Sequence, residues 1–451
     1  MTRLTSEEEI AAMRGLKMVV IGGGSSYTPE LVDGLIRYRE QIPLRELVLV
    51  DVPMGAEKLA VMTAMVGRMF AASGLPVAVS GTMDRRQALA GADVVVSQFR
   101  VGGLPARALD ERLPLKWGVV GQETTGPGGF AKALRTIPVA LQIARDVEEL
   151  CPDAWVLNFT NPAGVVTEAL LKYSRVKTLG LCNVPLSIQR GIAAALGVDP
   201  GRVVLDMAGL NHLSFARHVY LDGADILPKL LGTDFVRQEI VKNIGALEWG
   251  ETTLQALGML PSPYLQYYYG GAAKVEEEKQ AIAQGRGTRA DEVMRVETEL
   301  FKLYRDPATT EKPALLGQRG GAFYSEAALG ALASILQNRR EVHIVNTRNG
   351  SCLPDLGPDV VVEVPCVLDA AGAHPLAQGP LPVAVRGLVQ QVKAYEELTV
   401  EAAVTGDRHT AFLALLNHPL VPGAKAAAGL LEDILAAHQQ YLPQFFPVSQ
   451  S

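Results

Sequence analysis

Lys17-Met-Val-Val-Ile-Gly22-Gly23-Gly24-Ser25-Ser26-Tyr27-Thr28-Pro29 runs an apolar strand straight into a glycine turn, and the amphipathic Glu30-Leu31-Val32-Asp33-Gly34-Leu35-Ile36 follows at once. Glycines at such a turn adopt positive φ and let the backbone come close to a ligand, while the N-terminus of the following helix carries a partial positive charge suited to phosphate. The segment therefore reads as the opening βα unit of a dinucleotide-binding fold, with Gly22, Gly23, Gly24, Ser25 and Ser26 as cofactor-binding residues. Tyr27 stands where the third glycine of the G-x-G-x-x-G fingerprint would fall, so the motif taken alone also fits an ordinary strand-turn-helix. The next apolar run, Leu47-Val-Leu-Val, ends in Asp51. A carboxylate there accepts hydrogen bonds from ribose hydroxyls and repels a 2′-phosphate, which favours NAD over NADP.

Three more apolar runs continue the pattern: Asp93-Val-Val-Val-Ser-Gln-Phe99, Ala154-Trp-Val-Leu-Asn-Phe159 and Val176-Lys-Thr-Leu-Gly-Leu181. Each is close to continuously apolar, as a strand buried on both faces should be. Helical segments, among them 56–72 and 137–150, lie between them. The expected fold is α/β, a Rossmann-like doubly wound parallel sheet over residues 16–190. Residues 1–15 read as an extension. From about 190 to 451 the pattern becomes more helical, with long helices expected at 289–304, 322–337, 383–404 and 425–440, as a second domain carrying the substrate and metal site.

Composition narrows the function. The chain has 451 residues, 48% hydrophobic and 20% charged, with a net charge of −6 and dispersed basic residues. It can bury a large core, and nothing in it points to a nucleic-acid partner. No apolar stretch is long enough to cross a bilayer, and Glu7, Glu8 and Glu9 are unlike the start of a signal peptide, so the expected location is the cytoplasm. Four cysteines, at 151, 182, 352 and 366, are too few and too scattered for a disulfide framework; free thiols or metal ligands are expected.

In a doubly wound sheet, ligands bind beyond the carboxyl ends of the strands. Cys182 follows the fifth strand, and His212 lies in Gly209-Leu-Asn-His212-Leu-Ser-Phe215. A thiolate and an imidazole can hold a first-row divalent metal and leave positions open for substrate, although both residue types are also common core residues. Arg107 and Arg289 suit a phosphate or sugar oxygens, or ordinary ion pairs. Tyr264, Tyr267, Tyr268 and Tyr269 form a dense cluster in which one phenol, beside a cation, can act as a base.

Taken in order, these segments resemble glycoside hydrolase family 4. The likeness runs from Gly22-Gly-Gly-Ser-Ser-Tyr-Thr-Pro29 through Gly121-Gln-Glu-Thr-Thr-Gly126-Pro-Gly-Gly129, Asn158-Phe-Thr-Asn161-Pro162, Cys182-Asn-Val-Pro185 and Gly209-Leu-Asn-His212 to Tyr264-Leu-Gln-Tyr-Tyr268 and Arg289-Ala-Asp-Glu-Val293. The resemblance implies a lactate/malate dehydrogenase-like fold, NAD and a divalent metal, manganese in the family, held on Cys182 and His212. It also implies substrate contacts from Arg107, Asn161, Asn183 and Arg289, with Tyr264 as the catalytic base, and a homodimer or homotetramer. Cys182-Asn183 is similar to the family's 6-phospho-β-glucosidases, whereas the 6-phospho-α-glucosidases have Cys-Asp there. The implied chemistry is hydrolysis of 6-phosphorylated β-glucosides by NAD-dependent oxidation at carbon 3, elimination, water addition and re-reduction. The alternatives are the α-specific enzyme and an NAD-dependent 2-hydroxy acid dehydrogenase.

Overall fold

The computed structural model describes residues 15–233, 251–320 and 323–446. Apart from Gly15, the expected N-terminal extension lies outside these residues. The five apolar runs form β1 (Leu16–Ile21), β2 (Leu44–Val50), β4 (Val94–Ser97), β5 (Trp155–Asn158) and β6 (Lys177–Gly180), and a strand not expected from the sequence, β3 (Ala78–Thr82), adds a largely exposed edge. They pair in parallel in the order β3-β2-β1-β4-β5-β6, which reverses direction between β1 and β4. Such a reversal opens a crevice at the carboxyl ends of the central strands. Gly22, Asp51, Arg100, Asn161 and Cys182 all follow closely on strand ends at that edge.

Helices α1 (Thr28–Arg37), α2 (Ala56–Ala72), α3 (Gly103–Arg112), α4 (Gly126–Leu150), α5 (Ala163–Tyr173) and α6 (Val184–Leu196) connect or follow these strands. Helix α4 starts eleven residues before the expected 137, although Gly126-Pro-Gly-Gly129 looks like a loop and Pro138 like a breaker. Close packing explains the glycines: a Cβ on Gly128 would sit 2.2 Å from the Gln122 carbonyl oxygen, and one on Gly129 2.3 Å from that of Thr124. Pro138 cannot donate to the Leu134 carbonyl, and the Gln444 side-chain amide donates to it instead at 2.9 Å.

The later chain supplies strands as well as helices. Val203–Leu210 (β7) and Leu213–Leu221 (β8) form a hairpin, extended by Ala224–Asp225 (β9) and Leu260–Pro261 (β10). Strands β11 (Glu341–Arg348), β12 (Val361–Asp369) and β13 (Gly372–Pro375) join the large sheet itself, antiparallel, with Asn346 paired to Gly180 of β6. Short helix α7 (Leu265–Tyr269) precedes α8 (Gly271–Ala283). The long helices expected in this half are α9 (Arg289–Arg305), α10 (Tyr324–Leu336), α11 (Val383–Thr405) and, after Arg408–Asn417 (α12), α13 (Ala424–Ala437). Among the described residues no helix is long and apolar enough to cross a membrane, and the four cysteines are free thiols.

Candidate active site

The glycine turn packs tightly on its own sheet. Gly22 has φ +85°, and a Cβ there would lie 2.8 Å from Phe99 Cα; one on Gly23 would lie 2.6 Å from Leu49 Cβ. The N–H groups of Gly22 and Gly23 both donate to the Val50 carbonyl at 2.9 Å, and that of Gly24 donates to Asp51 Oδ2 at 2.9 Å. The glycines thus bring the turn down onto β2, and Asp51 ties it there. Ser25 Oγ accepts from the Tyr27 N–H at 3.2 Å. Ser26 is fully buried and donates to Glu297 Oε2 of α9 at 2.9 Å, and the Tyr304 hydroxyl donates to the Ser26 carbonyl at 2.9 Å. The turn thus lies at the start of α1 beside the Asp51 carboxylate, a placement that suits a pyrophosphate and a ribose.

Cys182 and His212 come from different elements. Cys182 ends the loop after β6, where the backbone N–H groups of Asn183 and Val184 and the Asn211 amide are hydrogen-bonded to its sulfur. Burial and the nearby Glu363 push its thiol well up. A bound cation reverses such a shift by deprotonating the thiol it ligates. His212 occupies the β7–β8 hairpin tip at φ +64°. Burial lowers its pKa to about 3, so the ring is a neutral imidazole at pH 7, the form that ligates metals. Among the described residues no three His, Cys, Asp or Glu side chains cluster as a metal site. A thiol and a neutral imidazole fit a borderline divalent cation whose other positions go to substrate or water.

The Tyr264 ring stacks on that of His212, with centroids 3.6 Å apart and planes within 5°. Burial raises its phenol well above 10, as do Cys182, Tyr267 and Glu123, while Arg107 acts in the opposite direction. The other tyrosines have different neighbours: the Tyr267 ring lies 6.0 Å from that of Tyr264 and feels Glu278 and Glu111, Tyr268 feels Glu396 and Tyr395, and Tyr269 is 42% exposed. Asn161 Oδ1 accepts from the Ala163 N–H at 3.2 Å, and its neighbour Pro162 lines a small cavity of about 20 Å³ with His212, Asn211 and Thr124. Asn183 caps α6.

Buried charge surrounds this group. Arg107 donates through Nε to Glu111 Oε1 at 2.7 Å, and its Nη1 pairs with Glu123 Oε1 at 3.0 Å. Glu123 also pairs with Arg100 and, at 2.9 Å, with Lys132. These cations hold its carboxyl well below the usual range against the effect of burial. The Arg319 guanidinium lies 4.9 Å from the Tyr27 ring centroid, and its buried Nε has no hydrogen-bond partner among the described residues. Arg289, at the start of α9, donates to the carbonyls of Gln318 and Arg319 at 3.0 and 3.1 Å and pairs with Glu292. Glu111 joins the two arginine-bearing helices, because its Oε2 accepts from the Ala290 N–H at 2.7 Å.

Residues 17–198 match the Family 4 glycosyl hydrolase model, and 207–421 match the Family 4 glycosyl hydrolase C-terminal domain. The chain belongs to glycosyl hydrolase family 4. A probable 6-phospho-beta-glucosidase of Bacillus subtilis is 51% identical to it over 96% of this chain and 98% of its own length. The 6-phospho-beta glucosidase of Thermotoga maritima, solved with NAD and glucose-6-phosphate, superposes with a TM-score of 0.86 at 36% identity, covering 95% of this chain and 99% of that one. A second structure of the Thermotoga protein contains manganese, NAD+ and glucose-6-phosphate, with a TM-score of 0.85 at 35% identity, over 94% and 99% of the two chains. Malate dehydrogenase from Plasmodium falciparum shares the fold, with a TM-score of 0.52 at 15% identity over 86% of this chain and 98% of that one.

In this family 4 glycosyl hydrolase, several residues of the site carried no recognisable pattern in the sequence. Glu123 and Thr124 lie inside a segment quoted above without a role, and Glu363 lies mid-strand in β12. Glu363 accepts from Asn211 Nδ2 at 2.9 Å and Ser214 Oγ at 3.0 Å, and so props the hairpin that presents His212. Arg100 and Cys182 share one signal that finds them both, their place just beyond a strand end.

Proposed function

We propose that this family 4 glycosyl hydrolase is a 6-phospho-β-glucosidase that works with NAD and a divalent cation, manganese by the precedent of the Thermotoga structure. The observation that carries the substrate class is the cluster of Arg100, Arg107 and Lys132 around Glu123 and Glu111, with Arg319 near Arg100 and Arg107, close to His212 and Tyr264. Guanidiniums in such a chamber make charge-assisted, fork-like hydrogen bonds to a phosphate. The 51% identity to the Bacillus relative agrees with it.

When bound, NAD supplies a reversible hydride acceptor and the cation a Lewis acid for the sugar's oxygens. Gly22, Gly23, Gly24, Ser25, Ser26 and Asp51 form the nucleotide platform. Cys182 and His212 are the metal donors, and Arg107, Asn161, Asn183 and Arg289 orient the sugar phosphate. Tyr264 removes the proton at carbon 2, and Arg107 is the residue whose charge favours its phenolate against the cost of burial. Asn183 has an amide where the α-specific relatives have a carboxyl, and an amide donates hydrogen bonds without releasing a proton. The departing β-linked oxygen then takes its proton from water. A site that uses NAD and takes charged sugar phosphates suits the cytoplasm.

A panel of 4-nitrophenyl α- and β-glucosides, each with and without the 6-phosphate and assayed with NAD and manganese, tests the reading. The β-linked phosphate should be cleaved fastest and without accumulation of NADH at 340 nm. Preference for the α-linked phosphate overturns the role of Asn183, and stoichiometric NADH overturns hydrolysis.

A further inference from the structure

Thr124 has one hydroxyl proton and two polar neighbours. Its Oγ1 lies 2.9 Å from Gln122 Oε1 and 3.1 Å from His212 Nδ1. Chemistry identifies the Gln122 atom: the main-chain N–H groups of Thr124 and Thr125 both point at it from 2.6 Å. A side-chain NH2 in that position would set donors against donors, so the atom facing them is the carbonyl oxygen, which has no proton to give. Of the two atoms only the threonine oxygen carries a proton, and the geometry has the Thr124 hydroxyl donating to Gln122 Oε1. With its proton committed to Gln122, Thr124 Oγ1 faces His212 Nδ1 as an acceptor. The imidazole must then carry its proton on Nδ1 and its lone pair on Nε2.

We propose that Gln122 and Thr124 are positioning residues that lock His212 in the tautomer whose Nε2 is open to a metal. The proposal rests on the assignment of His212 and Cys182 as metal donors. In metal sites generally, the second nitrogen of a ligating histidine is held by a hydrogen-bond acceptor that fixes its tautomer and ring orientation. The relay is stiff because the loop carrying it lies against helix α4. Gly128 passes the Gln122 carbonyl, and Gly129 that of Thr124, at distances no side chain would allow. His212 is held from its face as well, by the Tyr264 ring.

The test uses the full-length protein. With 15N-histidine labelling, a long-range 1H–15N spectrum of the metal-free protein should show His212, identified by its loss in His212→Ala, protonated at Nδ1. In Gln122→Leu the hydroxyl of Thr124 is released to donate, and the signal should move toward the Nε2–H form. Manganese titration followed by electron paramagnetic resonance, with NAD present, should show roughly 10- to 100-fold weaker binding for Thr124→Val and near wild-type binding for Thr124→Ser, the range expected when such a partner is lost. NAD affinity should be unchanged in all three variants. A wild-type His212 protonated at Nε2 overturns the relay, and this measurement needs no variant of the relay to fold. Thr124→Val binding manganese within about twofold of wild type also overturns it. If the wild-type protein binds no manganese, the metal assignment falls first and the relay with it.

Discussion

Tyr264 is set apart from its three neighbours by the ring it stacks on, and that contact makes its role testable. Tyr264→Phe should lower turnover by roughly 10²- to 10⁴-fold, the usual contribution of a positioned base. A substrate deuterated at carbon 2 should show a primary isotope effect with the unaltered enzyme. Tyr267→Phe should leave turnover within about tenfold of wild type; the reverse ranking of the two variants would mean that the base is Tyr267. Lys132 gives a prediction in pH. Burial, and then the charge of Arg100, bring its pKa down to about 7, with Glu123 acting the other way. Raising the pH through 7 therefore removes a cation from the phosphate-facing cluster. KM for the phosphorylated substrate should climb above pH 7, and Lys132→Met should abolish the climb; a KM that is flat with pH in the wild-type protein would place the phosphate elsewhere. At this scale the sequence exposes residues that sit at strand ends or in short motifs, such as Asp51, Cys182 and His212. It hides Glu363 and Arg319, because their partners lie far along the chain and no local spacing marks them.

Strands buried on both faces announce themselves by composition, and β1, β2, β4, β5 and β6 were legible for that reason; β3, at the sheet edge and largely exposed, was not. The start of α4 was not. Its glycines and proline argue against a helix locally, and only packing against the 122–124 backbone and the donor from Gln444 reverse the balance. Gln444→Ala should leave the Leu134 carbonyl without a partner inside the protein. The expected loss is about 1–3 kcal/mol of stability, the cost of a buried acceptor left unsatisfied, read as a lower midpoint in chemical denaturation. An unchanged midpoint would mean that water reaches the freed carbonyl. Strand β12 was hidden for a different reason: Val361-Val-Glu-Val-Pro-Cys366 interrupts an apolar run with a carboxylate and a proline, which in isolation weaken a strand reading.

Across the whole molecule, the nucleotide platform and helix α9 are bound together although they stand far apart in sequence. Glu297 accepts from Ser26 and pairs with Lys58, while Tyr304 closes the same contact onto the Ser26 carbonyl. Glu297→Ala should weaken NAD binding by roughly tenfold, equivalent to about 1.4 kcal/mol, as measured by titration calorimetry. Unchanged NAD affinity with a lower melting temperature would make the contact purely a brace between the glycine turn and α9.

The pairing of Asn346 with Gly180 also has a consequence for the ribosome. Strand β6 is complete once residue 180 has emerged, yet the strand that covers its edge belongs to a segment about 170 residues later, roughly ten to thirty seconds of synthesis at ordinary elongation rates. For that interval the end of β6 that Asn346 later pairs with is an open edge, the kind that recruits strands from other chains. Productive folding of this protein is thus a matter of timing as well as of stability, and a chaperone that shields the edge until β11 arrives would have its work defined by that one register.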